Sequence, residues 1–250
     1  MPLTPGMSTA AFRQLSAVIA ASAAPRSARS VLNYMMGCDT SDPECRKRLS
    51  TDEGVSDLLS VWFECGADLD DLAQPFAPVI KEAKAGTLVE PEWQTIEGKV
   101  AKVLLCDQLS RSAFRGTPEA FEYDTTARGV VHELMAPENI DELLTLPCAM
   151  LYLIPWALAH SEDVKDLETA CDLINKSAAA YPDFTLFLGR NSQAVEQHRQ
   201  VLAHFGRYPQ RNKQFGRENT PEEEAWLADK DKVPIWAGGK VQFHVKLFEE

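Results

Sequence analysis

The sequence predicts an all-α protein, and three observations support this fold class. Apolar residues recur at helical spacing nearly throughout the chain from Ser30 onward, and alternating strand patterns are almost absent. Residues 146–160 are apolar nearly all round, which is typical of a helix buried on every side. With 250 residues, of which 45% are apolar, the chain is long enough to bury a sizeable core. One short strand is predicted near the C-terminus, where residues 241–248 alternate apolar and polar.

The first half of the chain divides at its glycines and prolines. Glycine favours the left-handed conformation that ends helices, and proline is accepted in a first turn but breaks a helix interior. The first predicted segments are a helix at 31–36 that Gly37 ends and a polar loop at 38–54. A helix at 55–65 follows and ends at Gly66, and the next helix, at 68–85, is broken at Pro75 and Pro78. The last helix of this half starts near Glu92, behind Pro91, and continues into residues 104–116, LLCDQLSRSAFRG.

The second half follows the same logic of caps and stripes. The first predicted helix is capped by Thr117, begins at Pro118, runs to about Met135 and pairs Asp124 with Arg128. The buried helix at 146–160 is bent at Pro155, and the helix after it is capped by Ser161. A long helix at 183–205, with the apolar stripe Phe184, Leu188, Val195 and Leu202, is followed by a loop at 205–219 and by a short helix that begins with a capping box of Thr220 and Glu223.

The N-terminal segment differs from the rest of the chain. Its first 38 residues contain no Asp or Glu and are rich in Ala and Ser, with three arginines and one apolar helical face. This composition is typical of a mitochondrial or chloroplast transit peptide, while an ordinary extra helix or a disordered tail fits equally well. We therefore divide the chain into an N-terminal extension (1–29), a helical domain (30–229) and a C-terminal tail (230–250). Without a transit peptide, we expect a cytoplasmic protein.

The charge of the chain limits its partners. Its formal net charge is −12 and its pI is near 4.9. Nucleic acid and anionic membrane surfaces need a basic face, so neither is an expected partner. No window approaches 18 uninterrupted apolar residues, so no membrane span is predicted.

The six cysteines are scattered without metal-binding or redox spacing. We expect them to be free, mostly buried thiols in a reducing compartment. Cys38 and Cys45 flank a short polar loop, and a disulfide between them is the less favoured alternative.

Polar residues interrupt the apolar stripes of three separate helices. At about 100° per residue, Asp107 and Arg111 fall within one stripe, His160 within a second, and Asn191 and His198 within a third. Taken alone, each of these residues is explained as an ordinary core residue whose hydrogen bonds are satisfied. A buried ion pair that fixes helix packing is enough to explain Asp107 and Arg111. Three occurrences together favour a shared buried polar site.

A basic cluster lies in the loop FGRYPQRNKQFGREN, residues 205–219. Arg207, Arg211, Lys213 and Arg217 precede its first acid, Glu218. On an acidic protein, such a cluster either pairs with carboxylates of neighbouring helices or binds an anion. Structural pairing is the favoured alternative.

Three motifs resemble a family known as domain of unknown function 924. They are LLCDQLSRSAFRGT, AHSED and HRQVLAHFGRYPQRNKQFGRENTPEE, and their order and spacing match over about residues 31–229. Matching positions are Asp107, Gln108, Arg111, Arg115, His160, Glu162, His198, Arg207, Arg211, Asn212 and Arg217. The chain departs from the family pattern at Ser110, Ser112, Leu167 and Gln210. The resemblance implies a tetratricopeptide-repeat-like, right-handed arrangement of antiparallel helix pairs, and it implies no reaction.

Two functions are compatible with these residues. In the first, a small anionic molecule binds where the motifs meet, with His160 or His198 as a general base oriented by Asp107 or Glu162. The expected ligand-binding residues are Gln108, Arg111, Arg115, Glu162, Arg207, Arg211, Asn212 and Arg217. In the second, a tetratricopeptide-like scaffold binds a protein or peptide partner, and the polar core only fixes the packing.

No cofactor is expected, because the sequence has no Gly-rich phosphate loop, nucleophile elbow or dinucleotide fingerprint. A metal site from Asp107, His160, Glu162 and His198 is a weaker alternative, since no HxxxH or HExxH spacing supports it.

Overall fold

The computed structural model describes residues 26–64 and 70–248, and most of them are helical. The α-helices in chain order are α1 (Ala28–Met36), α2 (Pro43–Arg48), α3 (Asp52–Glu64), α4 (Asp70–Ala73), α5 (Ala77–Ala85), α6 (Ile96–Leu104), α7 (Ser110–Ala113), α8 (Asp124–Leu134), α9 (Pro137–Leu143), α10 (Cys148–Ala159), α11 (Val164–Ala180), α12 (Ser192–Phe205) and α13 (Pro221–Ala228). Within the described ranges there is no sheet, so the all-α prediction is confirmed. The tetratricopeptide-like pairing stays a prediction.

Helix α10 lies at the centre of the fold. All twelve of its residues are buried, as the apolar run at 146–160 predicts, and Pro155 lies inside it. It packs against α6, α8, α11 and α12. Neither α10 nor any other helix in the described ranges is long and apolar enough to cross a membrane. Because α10 ends at Ala159, His160 follows at its C-terminus, within reach of side chains from the helices around it.

The central stretch is not one continuous α-helix. The predicted start near Glu92 is wrong: Pro91–Gln94 is a 3₁₀ turn, and α6 begins only after Thr95, whose side chain accepts a hydrogen bond from the backbone N–H of Gly98. Helix α6 then continues into a π-helical turn, Leu105–Leu109, before α7. In this turn the N–H of Ser110 donates to the carbonyl of Leu105. The wider turn accommodates one more residue than an α-turn does.

A second π-helical turn, Phe187–Asn191, precedes α12. The N–H of Asn191 donates to the carbonyl of Leu186, at 3.0 Å. The predicted stripe included Leu188, which is instead 60% exposed. The angular count that placed Leu188 on the buried face assumes 3.6 residues per turn, and the π-turn changes that spacing. Asn191 lies at the end of the turn and is fully buried, as predicted.

Three predicted local contacts are wrong. Thr117 makes no capping hydrogen bond, because Pro118–Phe121 forms a 3₁₀ turn and α8 begins only at Asp124. Arg128 does not pair with Asp124; its guanidinium lies 3.5 Å from the Asp166 carboxylate. The cap of α11 is Asp163 and not Ser161, whose hydroxyl accepts a hydrogen bond from the N–H of Asp163. The first correction follows from a tighter turn, and the second from a tertiary partner of Arg128.

The break predicted between 68 and 85 is confirmed for the part that the structure describes. A 3₁₀ turn, Gln74–Phe76, contains Pro75 and separates α4 from α5. The capping box of Thr220 and Glu223 at the start of α13 is also present. The predictions for Cys65 and Gly66 lie outside the described residues.

The C-terminal strand predicted at 241–248 is not formed. A single bridge joins Pro234 to Val241, and Ile235–Ala237 is a 3₁₀ turn. Alternation alone does not make a strand when no neighbouring strand completes its hydrogen bonds. The tail instead packs on α12, where the Gln197 side-chain amide donates to the carbonyls of Gln242 and Val245.

The prediction that the cysteines are all free is wrong for one pair. Cys38 and Cys45 form a disulfide with their Cα atoms 6.3 Å apart. The loop between them folds back through α2, which brings its two ends together. Cys106 and Cys148 are buried free thiols, as expected, and Cys171 is free but exposed.

The N-terminal part of the described chain is tied to the fold. Ser27 caps α1 by accepting a hydrogen bond from the N–H of Ser30, and Gly37 ends the helix with φ 64°. Arg26 forms ion pairs with Glu82 and Glu90. The predicted boundary after residue 29 therefore lies two residues inside α1. The transit-peptide prediction for residues 1–25 lies outside the described residues.

Candidate functional site

Asp107 is the central residue of the polar cluster. The π-turn after α6 holds it in the core, where it is fully buried. Its carboxylate accepts a 2.6 Å hydrogen bond from the side-chain amide of Gln108 and lies 2.6 Å from Nδ1 of His160. Arg111 lies farther away, with Nη2 3.4 Å from the same carboxylate. The predicted pair of Asp107 and Arg111 is therefore present but weaker than the contact with His160.

The hydrogen bonds of the cluster define the tautomer of His160. Nδ1 lies 2.6 Å from the acceptor Asp107 and 3.2 Å from the donor Arg111. A carboxylate can only accept, so we assign the proton to Nδ1, which donates it to Asp107. Nε2 has no hydrogen-bond partner within the described part of the chain. It is therefore the nitrogen that can accept a proton.

The surroundings of this pair lower both pKa values. Burial and the guanidinium groups of Arg111 and Arg211 lower the pKa of His160, and Asp107 offsets this only in part. Burial alone would raise the pKa of Asp107, but His160, Arg111 and Gln108 together lower it to about 2. The two directions are compatible, because a neutral imidazole still donates its Nδ1–H to an ionised carboxylate. Near pH 7 the pair is carboxylate and neutral imidazole.

Two arginines and a second buried carboxylate complete the cluster. Asp124 accepts a 2.9 Å hydrogen bond from Arg111 and lies 3.5 Å from Arg211. Arg211 also donates to the backbone carbonyl of His160, at 2.7 Å. Both guanidinium groups lie over the ring of Phe121, at 4.8 Å and 5.5 Å from its centre. The two acids and two arginines balance in charge, which offsets the cost of burying them.

His198 approaches the cluster from α12 without joining its hydrogen bonds. Its Nδ1 donates to the backbone carbonyl of Ala194 at 2.7 Å, and its ring lies 6.2 Å from that of His160. Its ring also stacks on Trp236, with the centres 3.8 Å apart. Burial lowers the pKa of His198 to about 3, so the imidazole is neutral. His198 does not contact Asp107, and orientation by Asp107 is possible only for His160.

His160 and His198 open onto one cavity of about 700 Å³. Its walls combine cationic, amide and aromatic side chains, and none of the described residues that line it is Asp or Glu. The polar lining consists of Gln108, Arg111, Ser112, Arg115, Arg190, Gln210, Arg211 and Gln214, and the apolar lining consists of Trp62, Phe121, Trp156, Ile235, Trp236 and Phe243. Volumes of about 300–1,000 Å³ are typical of sites for small organic ligands.

Some of the predicted ligand-binding residues are occupied by structural partners away from the cavity. Glu162 pairs with Arg217 at 2.6 Å and accepts a hydrogen bond from the N–H of Tyr208. Arg207 makes two hydrogen bonds to Glu223. Asn212 is fully buried and donates to Asn219 and, at 3.2 Å, to Glu223. Structural pairing, the favoured interpretation of the basic loop, therefore applies to Arg207 and Arg217.

Arg115 and Arg211 both line the cavity and also have structural partners. Arg115 lines the cavity, and its guanidinium also makes two hydrogen bonds to Asp70. Arg211 lines the cavity while its guanidinium bonds the chain at His160. Of the four residues in the metal alternative, Glu162 is bound to Arg217. Among the described residues, no three His, Cys, Asp or Glu side chains are grouped to hold a metal ion.

Sequence reasoning missed several residues of the site. Asp124 was assigned to Arg128, and nothing in the sequence links it to Arg111 across the intervening 3₁₀ turn. Arg190 lies in the second π-turn, and Trp236 and Phe243 lie in the tail, beyond the motifs. The available signal was composition, because the tail is rich in aromatic residues for its length.

Comparison with known proteins identifies the family. The family described as a bacterial protein of unknown function (DUF924) matches residues 52–231. A solved structure of a protein of unknown function from Agrobacterium tumefaciens is similar with a TM-score of 0.53 and 27% identity, over 69% of this chain and 96% of that chain. No curated protein matches the chain. The matched residues include Asp107, His160 and His198 but not Trp236. The chain belongs to the DUF924 family.

Proposed function

We propose that the protein binds a small anionic molecule in the cavity and uses His160 as a general base on it. The observation that carries the proposal is the composition of the cavity wall, in which four arginines and two neutral histidines surround one space and no described residue of the lining is an acid. Hydrolysis or another proton-transfer reaction suits this set of groups.

The charge distribution supports an anionic ligand. The chain carries a net charge of −12, yet Arg111, Arg115, Arg190 and Arg211 all line the cavity. The acids that balance Arg111 and Arg211 are buried behind the wall, at Asp107 and Asp124. An anion that enters therefore meets guanidinium donors first. Planar guanidinium groups bind carboxylate and phosphate with paired hydrogen bonds.

The geometry of His160 supports its role as a base. Asp107 fixes the imidazole in the tautomer with Nδ1 protonated, which leaves Nε2 able to take a proton. The lowered pKa of His160 keeps it neutral, and only a neutral imidazole can act as a base. Carboxylates in the same position orient histidine in other hydrolytic sites. His198 is oriented by a backbone carbonyl instead, which makes it the weaker candidate.

The binding part of the proposal is tested by thermal unfolding with inorganic phosphate, sulfate and acetate. At about a hundred times its Kd, a bound anion stabilises the folded state by about 2.7 kcal/mol. We expect at least one of these anions to raise the melting temperature of the wild type and not that of Arg111→Gln. Arg199→Gln is the matched control, because Arg199 is an exposed arginine of α12 that pairs with Glu196 outside the cavity.

Two further variants separate a ligand site from a scaffold. A scaffold that binds a protein or peptide predicts that Asp107→Asn and His198→Ala are destabilised and that no anion changes any melting temperature. A ligand site predicts an anion response in the wild type that both variants reduce. Absence of any response in the wild type would eliminate the anion site and leave the scaffold as the better explanation.

The base is tested by the reactivity of His160 toward diethyl pyrocarbonate, which acylates neutral imidazole. We expect peptide mass spectrometry to find His160 modified near pH 7, and saturating phosphate to slow that modification. Exposed His244 is the internal control, and phosphate should not change its rate. Equal rates at His160 with and without phosphate, in a protein that phosphate stabilises, would separate anion binding from His160 and exclude it as the base.

A further inference from the structure

One wall of the cavity comes from the chain beyond the family match. The match ends at residue 231, whereas Ile235, Trp236 and Phe243 all line the cavity. The arginines, both histidines and Asp107 lie within the matched region. The polar side of the site is thus built by the family domain, and part of the apolar side is built by the tail.

The tail is held firmly against α12. Trp236 donates its indole N–H to the Gln197 side chain at 3.2 Å, and the Gln197 amide in turn donates to the carbonyl of Gln242 at 2.7 Å. Farther along, the N–H of Leu247 donates to the side chain of Gln200 at 2.8 Å. The aromatic side chains of the tail are therefore placed by specific hydrogen bonds from α12, which makes them a fixed wall of the cavity.

The aromatic side chains of the tail contact the residues of the proposed site directly. Trp236 stacks on His198, with the ring planes 16° apart. Phe243 lies with its edge toward Trp156, at 6.2 Å, and under the guanidinium of Arg190, at 5.4 Å. The charged groups lie elsewhere in the wall, where the guanidinium groups of Arg111 and Arg211 both lie over the ring of Phe121. The cavity therefore offers guanidinium donors and flat apolar rings around the same space.

The cavity is much larger than a bare inorganic ion requires. A volume of about 700 Å³ is in the range of sites that enclose organic molecules, and much of it is lined by aromatic rings. Aromatic walls gain free energy by covering apolar surface, which phosphate lacks and of which acetate has only a methyl group. A ligand that fills the cavity needs both an anionic group and a planar apolar body.

We propose that the ligand is an aryl anion, such as an aromatic carboxylate or an aryl phosphate, whose charged group binds Arg111 and Arg211 and whose ring packs against Trp236 and Phe243. This inference rests on the proposed anion site and adds the class of molecule that the site selects. It makes Trp236 and Phe243 residues that determine specificity. Because they lie outside the family match, the domain supplies the anion site and the tail supplies the selectivity for the ring.

The test compares matched probes by isothermal titration calorimetry on the full chain. The probes are inorganic phosphate, phenyl phosphate and the neutral benzyl alcohol. Burial of a phenyl ring predicts that phenyl phosphate binds about tenfold to a hundredfold tighter than phosphate, while benzyl alcohol binds more weakly than phenyl phosphate. Trp236→Ala and Phe243→Ala should each weaken phenyl phosphate about tenfold and leave the Kd of phosphate unchanged.

Two controls separate contact with the ligand from anchoring of the tail. Phe248→Ala removes a phenylalanine of the same tail that stacks on His204 and does not line the cavity, so it should keep the wild-type preference. Trp236→Phe keeps a ring in the wall and should retain most of the preference if Trp236→Ala does not fold. Equal loss in Phe243→Ala and Phe248→Ala would overturn the assignment of Phe243 as a contact residue.

The failure of this inference differs from the failure of the proposed function. If the wild type binds phosphate and phenyl phosphate with the same Kd, the anion site stands and the aryl preference is wrong. If the wild type binds neither, both are wrong. If benzyl alcohol binds as tightly as phenyl phosphate, the cavity selects the ring without the charge, which contradicts the role of Arg111 and Arg211.

Discussion

At the scale of single residues, the buried cluster is balanced in charge before any ligand arrives. Asp107 and Asp124 offset Arg111 and Arg211, and burial keeps His160 and His198 neutral. An apolar core of the same volume would often be equally or more stable than such a cluster. Charges and two uncharged bases retained beside a cavity are typical of a site that binds a ligand.

The low pKa of His198 predicts how stability depends on pH. The imidazole titrates near pH 6.5 in an unfolded chain and at about 3 in the folded protein. Between these values the unfolded state binds a proton that the folded state does not bind. The free energy of unfolding should therefore fall as the pH is lowered from 6.5, by up to about 1.4 kcal/mol per pH unit for this one group.

Denaturant titrations between pH 6.5 and 4.5 measure this slope. His198→Gln should reduce it. His160 adds to the slope in the same direction, because its pKa is also lowered. An unchanged slope in His198→Gln would mean that His198 is not held neutral in the folded protein.

The central residues of the site could be predicted from the sequence, because the helical rotation of about 100° per residue shows which residues share a face. Asp107, His160 and His198 each interrupt an apolar stripe, and a polar residue on a buried face needs partners from other helices. The identity of those partners could not be predicted. Asp124 bonds Arg111 across a turn, and Trp236 reaches His198 from a 3₁₀ turn in the C-terminal tail. Such contacts depend on how the elements pack, which periodicity does not encode.

At the scale of elements, two π-helical turns place residues of the site. Leu105–Leu109 contains Asp107, and Phe187–Asn191 contains Arg190 and ends at the buried Asn191. An inserted residue rotates everything that follows relative to what precedes it, so a polar side chain can turn inward without breaking the helix. Isolated π-turns of this kind are frequent at functional sites. They carry no clear sequence signature, which explains why Leu188 was assigned to the wrong face.

Helix α6 depends on a close approach that only glycine permits. A Cβ atom at Gly98 would lie 2.0 Å from the carbonyl oxygen of Glu92, in the backbone of the preceding 3₁₀ turn. We expect Gly98→Ala to displace that turn and to destabilise the protein by about 1–3 kcal/mol, as overpacking does. Gly129, in the interior of α8, has no atom within 4 Å of the corresponding position.

Gly129→Ala is therefore the matched control for Gly98→Ala. Both changes replace a helical glycine by alanine, which favours the helix by about 0.5–1 kcal/mol where space allows. Urea denaturation should show that Gly129→Ala is as stable as the wild type or more so, and that Gly98→Ala is less stable. If the two variants had the same stability, the contact between α6 and the turn would not be as close as the structure places it.

At the scale of the whole molecule, the fold class was predictable and the arrangement was not. The all-α class follows from helical periodicity, and the position of α10 follows from its uninterrupted apolar sequence. The disulfide of Cys38 and Cys45 depends on how the short segment between them folds, and the packing of the tail on α12 depends on contacts between distant parts of the chain. The alternation at 241–248 resembles a strand, but the aromatic side chains of this segment instead pack, half-buried, against the helical core.

The two ends of the domain differ in what they contribute. The C-terminal tail completes the cavity wall. The first described residues, by contrast, stabilise α1 and do not line the cavity. Ser27 caps α1, and the N–H of Ala28 donates to Glu92 at 3.1 Å. The ion pairs of Arg26 are exposed and contribute little, because solvent screens such pairs.

Two N-terminal truncations test where the folding unit begins. A chain that starts at Arg26 keeps Ser27 and Ala28, and we expect it to unfold at the same temperature as the full chain, because residues 1–25 are free of acids and lie outside the family match. A chain that starts at Ser30 loses the cap of α1 and should be less stable by about 1 kcal/mol. Ser27→Ala in the full chain should reproduce that loss, which separates the cap from the length of the segment. If the chain that starts at Arg26 lost its cooperative transition, residues 1–25 would belong to the core, and the transit-peptide interpretation would fail with them.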